Sequence, residues 1–292
     1  MLLFSVLIAG SFSLGSLIAP TIDPAALTAA RFLAAGIVIG AIAVAGPGFR
    51  SRDFRAPWRF GVLGGLFAVY FVLMFEGLKT ASPVSTAAVF TLVPLMSAMF
   101  GRMLLGQIAS RRMIIALAVG GVGALWVIFR GSLSSLVSLD IGRGEAIFLV
   151  GALAHALYVP MIPKLNRGES PLVFTFGMMV AGFVILLAYG WRPILATDWA
   201  GMPPFFWAVF AYLVFFASAS TFYLVQFASL RLPSGKVMAY TYLTPAWVIV
   251  WEGSMGHGWV SLSVLGGTIA TLLALFLLLK DDDRHRGVRP RV

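Results

Sequence analysis

The chain is 292 residues long, 60% hydrophobic and only 11% charged, with a net charge of +10 and no cysteine. Soluble domains carry about 25% charged residues, so the composition excludes a soluble enzyme or a nucleic-acid module and indicates a membrane protein. It also excludes disulfide scaffolds and thiolate metal sites, and the three histidines (His155, His257, His285) are too scattered for a metal cluster.

Ten apolar runs are long enough to cross about 30 Å of hydrocarbon. In chain order they lie near 2–20, 27–46, 58–76, 83–104, 113–130, 144–163, 172–190, 204–228, 236–252 and 260–279. The opening MLLFSVLIAG lacks the basic stretch of a cleaved signal peptide and is expected to be the first span. It carries Ser13 and Ser16 on one face. The second span contains Arg31, about 12 Å in from Asp23 at 1.5 Å per residue. Two readings apply to Arg31, binding a substrate carboxylate or snorkelling outward to the interface, and the second is preferred for so long a side chain. The fourth span, AVFTLVPLMSAMF, holds Phe90, Thr91 and Pro94. The sixth, GALAHALYVP, holds His155, with Tyr158 on the same helical face. The ninth, MAYTYLTPAWVIVW, holds Pro245 and a helical stripe of Tyr240, Thr244 and Trp247. Glycine runs at 36–40, 119–123 and 265–268 are expected to let helices pack closely.

Sixteen of the 21 basic residues fall in the connections after the second, fourth, sixth and eighth spans and in the tail, against four on the opposite side. That asymmetry places both termini in the cytoplasm of a bacterial inner membrane, and it accounts for the net charge without nucleic acid.

Prolines break helices, at a cost of about 3 kcal/mol, yet Pro94 and Pro245 both sit mid-span. A shift of 151 residues superimposes Pro94 on Pro245, Leu92 on Leu243 and Ala88 on Ala239. Earlier, Pro24, Thr28 and Ala34 pair with Pro171, Thr175 and Ala181. The expected organisation is a first five-helix repeat over 1–135, a second over 136–280 and a basic tail over 281–292. Five is odd, so the second repeat is inverted. Such repeats place a substrate site between them near the midplane, where broken backbone survives if protein or a cavity satisfies it. Thr241 and Thr244 are placed to take up the freed carbonyls. The fold class is therefore an all-α integral membrane protein, ten helices as two inverted repeats around a central cavity.

The pattern GSFSLGSLIAP…DPAALTAARFLAAG resembles the EamA family of the drug/metabolite transporter superfamily, through Asp23, Pro24, Arg31 and Phe32. LVPLMSAMFGRMLLGQ resembles the family's Pro-to-Gly-Glu segment, with Gln107 where Glu is usual. Among its members the chain looks most like the bacterial aromatic amino acid exporters. The resemblance implies a transporter, and the residues suggest what lines its cavity: Ser13, Ser16, Phe90, Thr91, His155, Tyr158, Tyr240, Thr244 and Trp247, beside the helix breaks at Pro94 and Pro245.

The leading reading is a secondary transporter exporting amino acids or similar small amphipathic metabolites by alternating access. The alternatives are an exporter of drugs or cationic metabolites, and an integral-membrane transferase. No paired carboxylates, metal spacing or nucleophile–base set supports an enzyme, and no cofactor or metal is expected. The expected partners are a small-molecule substrate and the lipid bilayer, and a monomer suffices. A reporter fused at residue 285 is expected to show a cytoplasmic C-terminus; periplasmic reporter activity would overturn the orientation.

Overall fold

The computed structural model describes residues 1–46, 48–137 and 141–279; the basic tail expected over 281–292 lies outside the described residues. Three helix starts are built alike, as a short oxygen-bearing cap followed by proline. Asp23 Oδ1 accepts from the amides of Ala25 at 2.8 Å and Ala26 at 3.2 Å, ahead of Pro24. Ser82 and Ser170 cap in the same way ahead of Pro83 and Pro171, accepting from Ser85 at 3.2 Å and Val173 at 3.3 Å. The cap satisfies amides that open a helix, and proline there lacks only an N–H that would be unbonded anyway.

The elements are α1 (Leu2–Ile18), α2 (Pro24–Ala45), α3 (Trp58–Leu78), α4 (Pro83–Phe90), α5 (Val93–Leu105), α6 (Arg111–Ile128) and a short α7 (Leu133–Val137). They continue with α8 (Arg143–Leu165), α9 (Pro171–Ala196), α10 (Pro204–Val214), α11 (Thr221–Ser229), α12 (Ser234–Met238), α13 (Thr244–Ser254) and α14 (Leu262–Leu279). A π-helical turn, Phe215–Ser220, joins α10 to α11, and a 3₁₀ turn, Ala239–Leu243, joins α12 to α13. Among the described residues there is no strand. Among the described residues, eight helical stretches are long and apolar enough to cross a membrane, α4–α5 and α10–α11 each counting as one; Leu262–Leu278 is a shorter apolar helix, and Ser234–Ser254 is interrupted. Large apolar side chains such as Ile37, Val122, Leu195 and Phe276 stand exposed on the outside, as a lipid-facing surface requires.

The two mid-span breaks have one form. Pro94 and Pro245 both occupy the second position of the downstream half, α5 and α13, rather than a helix interior. The turns before them are closed by threonines: Thr91 Oγ1 donates to Ala88 O at 2.6 Å and Thr241 Oγ1 to Met238 O at 2.8 Å. Thr244 departs from expectation. It opens α13 instead of closing the turn, and its buried hydroxyl bonds no protein group.

The packing is symmetric under exchange of residues 2–128 with 143–279. Helix α2 packs on α9 and α6 on α14, pairs that map onto themselves. The contact of α3 with α8 maps onto that of α1 with the α10–α11 segment, and α4–α5 against α8 maps onto α13 against α1. Close approach uses paired glycines. A Cβ on Gly123 would lie 2.7 Å from Gly267 O, and one on Gly64 would lie 2.5 Å from Gly182 N. Without a hydrophobic force between helices in lipid, such backbone contact supplies the packing energy.

On the face that carries the basic connections, Arg59 Nη2 meets Glu169 Oε1 at 2.6 Å, both side chains almost fully buried. Arg59 also donates to Leu165 O at 2.6 Å, and Arg167 N donates to Glu169 Oε2 at 2.6 Å. This cluster ties the start of α3 to the α8–α9 connection. Burial alone would raise the Glu169 carboxyl, but the bonds from Arg59 and the Arg167 amide outweigh it and hold the group below its ordinary value. A depressed carboxyl stabilises the fold above its unfolded-state pKa and loses that contribution as pH falls through the folded value. Glu169→Ala leaves Arg59 buried and unpaired, and is expected to cost about 3–5 kcal/mol, seen as a lower Tm in detergent at pH 7. The gap to wild type should narrow toward acid, as Glu169 is protonated in the wild type; a gap that widens there would contradict this assignment.

Candidate functional site

Helices α1, α3, α4, α8 and α11 converge on one aromatic cluster. His155, on α8, lies 4.6 Å between ring centroids from Tyr70, 5.2 Å from Phe90, 5.3 Å from Phe67 and 5.9 Å from Tyr158. Phe67 in turn packs on Tyr158 at 4.1 Å and Phe222 at 4.4 Å. Phe12 of α1 closes the cluster against Phe90 at 5.6 Å and Phe148 at 5.8 Å. All of these residues are buried.

A cleft of about 500 Å³ opens on the face away from the basic connections, lined by Ser85, Arg130, Glu145, Glu252 and His257. In it Ser85 Oγ donates to Glu145 Oε1 at 2.7 Å, and His257 Nδ1 lies 2.8 Å from Glu252 Oε2. Following α8 inward from Glu145, Phe148 comes one turn deeper and His155 two turns further. Phe148 therefore stands between cleft-lining Glu145 and His155, with Phe12 and Phe90 packed on it at 5.8 and 6.4 Å. On the basic face a second cleft of about 200 Å³ is lined by Gln107, Met113, Pro233 and Lys236. Gln107, where the family pattern has Glu, accepts the Ser234 amide at 3.0 Å and so joins the α5–α6 connection to α12.

The sequence-derived residues divide into two groups. Phe90, His155 and Tyr158 meet in the cluster. Ser13 lies buried on α1 one residue from Phe12, and Ser16 Oγ donates back to Ser13 O at 2.8 Å. Thr91 is buried, its hydroxyl held by Ala88 O. Thr244 and Trp247 lie on α13, which packs against α1. Tyr240 is elsewhere, with Met113, Ala116 and Leu117 in a separate cluster. The expected stripe of Tyr240, Thr244 and Trp247 assumes a continuous α-helix. The 3₁₀ turn advances about 120° per residue instead of 100°, which rotates Tyr240 away by about 80° over four residues.

Three contributors were missed. Tyr70 and Phe67 belong to an i, i+3, i+4 aromatic stripe with Phe71 that the sequence displays in FAVYFVLMF. Gln226 Nε2 donates to Tyr158 OH at 3.1 Å. Arg31 corrects the snorkelling expectation. Its side chain is fully buried, donating from Nε to Ser218 Oγ at 3.0 Å and from Nη2 to Ala217 O at 3.2 Å. The π turn opposite α2 offers these acceptors within the protein, so the guanidinium turns inward.

Several buried polar atoms of this region bond no protein group: Ser13 Oγ, Tyr70 OH, His155 Nδ1, Thr244 Oγ1 and Trp247 Nε1. Buried polar atoms are nearly always bonded, which sets these apart. Among the described residues no group of three His, Asp or Glu could hold a metal.

Comparison with known proteins accords with this architecture. The model of the EamA-like transporter family matches twice, over residues 1–129 and 142–280. The chain belongs to the EamA-like transporter family. As an EamA-like protein it is a multi-pass membrane transporter, acting on small molecules within a lipid environment. It is 24% identical over 271 residues to the "Uncharacterized transporter YyaM" of Bacillus subtilis (strain 168), covering 92% of this chain and 89% of that one. A solved structure, described only as "Crystal structure of protein", superimposes with a TM-score of 0.70 at 18% identity, over 94% of this chain and 93% of the other. That likeness bears on the fold alone.

His155→Ala opens a void among four rings and is expected to destabilise this EamA-like protein by about 3 kcal/mol. His155→Phe keeps the ring contacts and removes the two ring nitrogens, of which Nδ1 bonds no protein group, so its Tm in detergent should stay within about 2 °C of wild type. A large loss of stability in His155→Phe would show that the imidazole has a structural bond.

Proposed function

We propose that this transporter exports amino acids, or closely similar amphipathic metabolites, across a bacterial inner membrane by alternating access. In this reading Ser234–Ser254 and Leu262–Leu278 complete ten crossings, both termini are cytoplasmic, and the repeats divide near residue 135. One observation carries it. The unbonded buried polar atoms come from both halves of the chain, Ser13 from the first and His155, Thr244 and Trp247 from the second, beside an aromatic cluster. A small ligand with an apolar side chain and a polar backbone would answer both features at once.

The geometry also supplies what must move. The cleft on each face ends short of His155, one above the rings of Phe12, Phe90 and Phe148, the other against Gln107 and Ser234. Opening either barrier while the other stays shut gives alternating access, and the interruptions at Thr91–Leu92 and Ala239–Leu243 are where α4–α5 and α12–α13 can hinge. No catalytic step is required of any residue.

Proton coupling needs a titratable group that meets the substrate. Glu145 and Glu252 line the outer cleft, Glu145 more than two helical turns from His155, and His155, the imidazole of the aromatic cluster, pairs with no described carboxylate. We therefore read transport as facilitated, down the substrate's own gradient. In proteoliposomes, labelled L-phenylalanine is expected to equilibrate and not to accumulate under an imposed pH gradient, with His155→Phe slowing entry at least tenfold. Concentrative uptake that collapses with a protonophore would overturn facilitated transport; wild-type entry no faster than in empty liposomes, for every amino acid tried, would overturn the substrate class.

A further inference from the structure

Arg31 is a buried charge that no described carboxylate neutralises. It lies in α2 with its side chain fully buried. The nearest acid in sequence, Asp23, lies two turns away with Oδ1 committed to capping its helix. Its neighbours are neutral: Ser218 Oγ, Ala217 O, and the faces of Phe71 and Phe75 at 4.1 and 5.4 Å from Cζ. A guanidinium cannot shed its proton to escape, and an uncompensated buried ion costs several kcal/mol.

The arrangement is directional. The edge of the guanidinium formed by Nε and Nη2 is docked on the π turn Phe215–Ser220. Ser218 Oγ spends its own proton on Leu213 O at 2.7 Å, so it faces Arg31 with a lone pair and holds the plane of the fork. The other edge is formed by Nη1 with the second N–H of Nη2, and Nη1 bonds no protein group. A guanidinium with one edge fixed and the other free is shaped for a two-point bond to a carboxylate. π turns also occur often at functional positions.

The guanidinium adjoins the aromatic cluster through the ring beneath it. Phe71, beneath the guanidinium, lies 4.5 Å from Tyr70, whose hydroxyl bonds no protein group and whose ring is 4.6 Å from His155. We propose that Arg31 is the anchor for a substrate carboxylate, with Ser218 as its positioning residue, and that the substrate is a monocarboxylate whose apolar or aromatic side chain lies toward Tyr70 and His155. This rests on the transport reading above and narrows it: the carboxylate, rather than the ammonium group, is the part that is recognised.

The test uses the purified full-length protein in detergent and in proteoliposomes, with four probes: L-phenylalanine, 3-phenylpropionate, L-phenylalaninamide and 2-phenylethylamine. Wild type is expected to bind the two carboxylates at least tenfold more tightly than the amide and the amine. Arg31→Lys keeps the charge but not the fork and should weaken carboxylate binding about tenfold, while Arg31→Gln should abolish the preference for carboxylates. Ser218→Ala, a small buried change that leaves Arg31 in place, should raise KM for the carboxylates with little change in kcat. A merely structural Arg31 would weaken all four probes alike, and that outcome overturns the proposal. So would equal affinity of wild type for acid and amide, or no binding by either acid. If 3-phenylpropionate binds through Arg31 and L-phenylalanine does not, the anchor stands and the amino-acid reading falls.

Discussion

Hydrocarbon offers no hydrogen bonds, and that constraint orders the rest of this structure. Every backbone group must find its partner inside the chain, so regular helix is the default and each departure needs its own compensation. Three of the departures among the described residues show such compensation locally. The breaks before α5 and α13 are closed by the hydroxyls of Thr91 and Thr241. At the π turn, Ser218, Ser220 and Thr221 bond the carbonyls of Leu213, Phe215 and Ala217. Unbonded buried side-chain atoms occur beside these segments, on Ser13 of α1, Arg31 of α2, His155 of α8 and Thr244 of α13.

The scaffold is symmetric, but its chemistry is not. The 147-residue offset that pairs Pro24 with Pro171 and Thr28 with Thr175 sets Arg31 against Met178. Met178 is buried in the core and lies 3.9 Å, through its sulfur, from Gln226 Nε2. The same offset sets His155 against Ile8. Two-fold packing suits a carrier that must present similar barriers to both faces, while a substrate with distinct ends needs an asymmetric site. Glycine contacts such as Gly123–Gly267 preserve the first property, and single substitutions inside it supply the second.

Much of this was legible from the sequence. The length of the apolar runs located the helices to within a few residues, because span length is fixed by bilayer thickness. X-Pro pairs marked helix starts because their capping is local chemistry. The shared face of His155 and Tyr158 followed from period alone, since both lie within α8. The π turn in FFASAS was not legible, because one inserted residue per turn leaves no hydrophobic signature in a uniformly apolar segment. Tyr240 was misplaced for a related reason, since its phase depends on a 3₁₀ turn that the residue types do not announce. Arg31 failed differently. Its distance from the interface allowed snorkelling, and only the acceptors on a helix some 187 positions away decided against it.

Arg31 also separates the two transport readings by electrostatics. A ligand charge about 6 Å from the guanidinium interacts by roughly 3 kcal/mol at an effective dielectric near 20. The sign is favourable for a carboxylate and unfavourable for an ammonium, and 3 kcal/mol corresponds to more than a hundredfold in affinity. The aromatic rings around His155 would by themselves attract a cation by about 0.5–2 kcal/mol, but the faces of Phe71 and Phe75 are already turned to Arg31. With no described carboxylate paired to Arg31, a simple cation entering this region meets net repulsion. A zwitterion or a monocarboxylate meets attraction at one end and rings at the other. The buried charge thus argues against the drug or cationic-metabolite alternative more strongly than the aromatic surroundings argue for it.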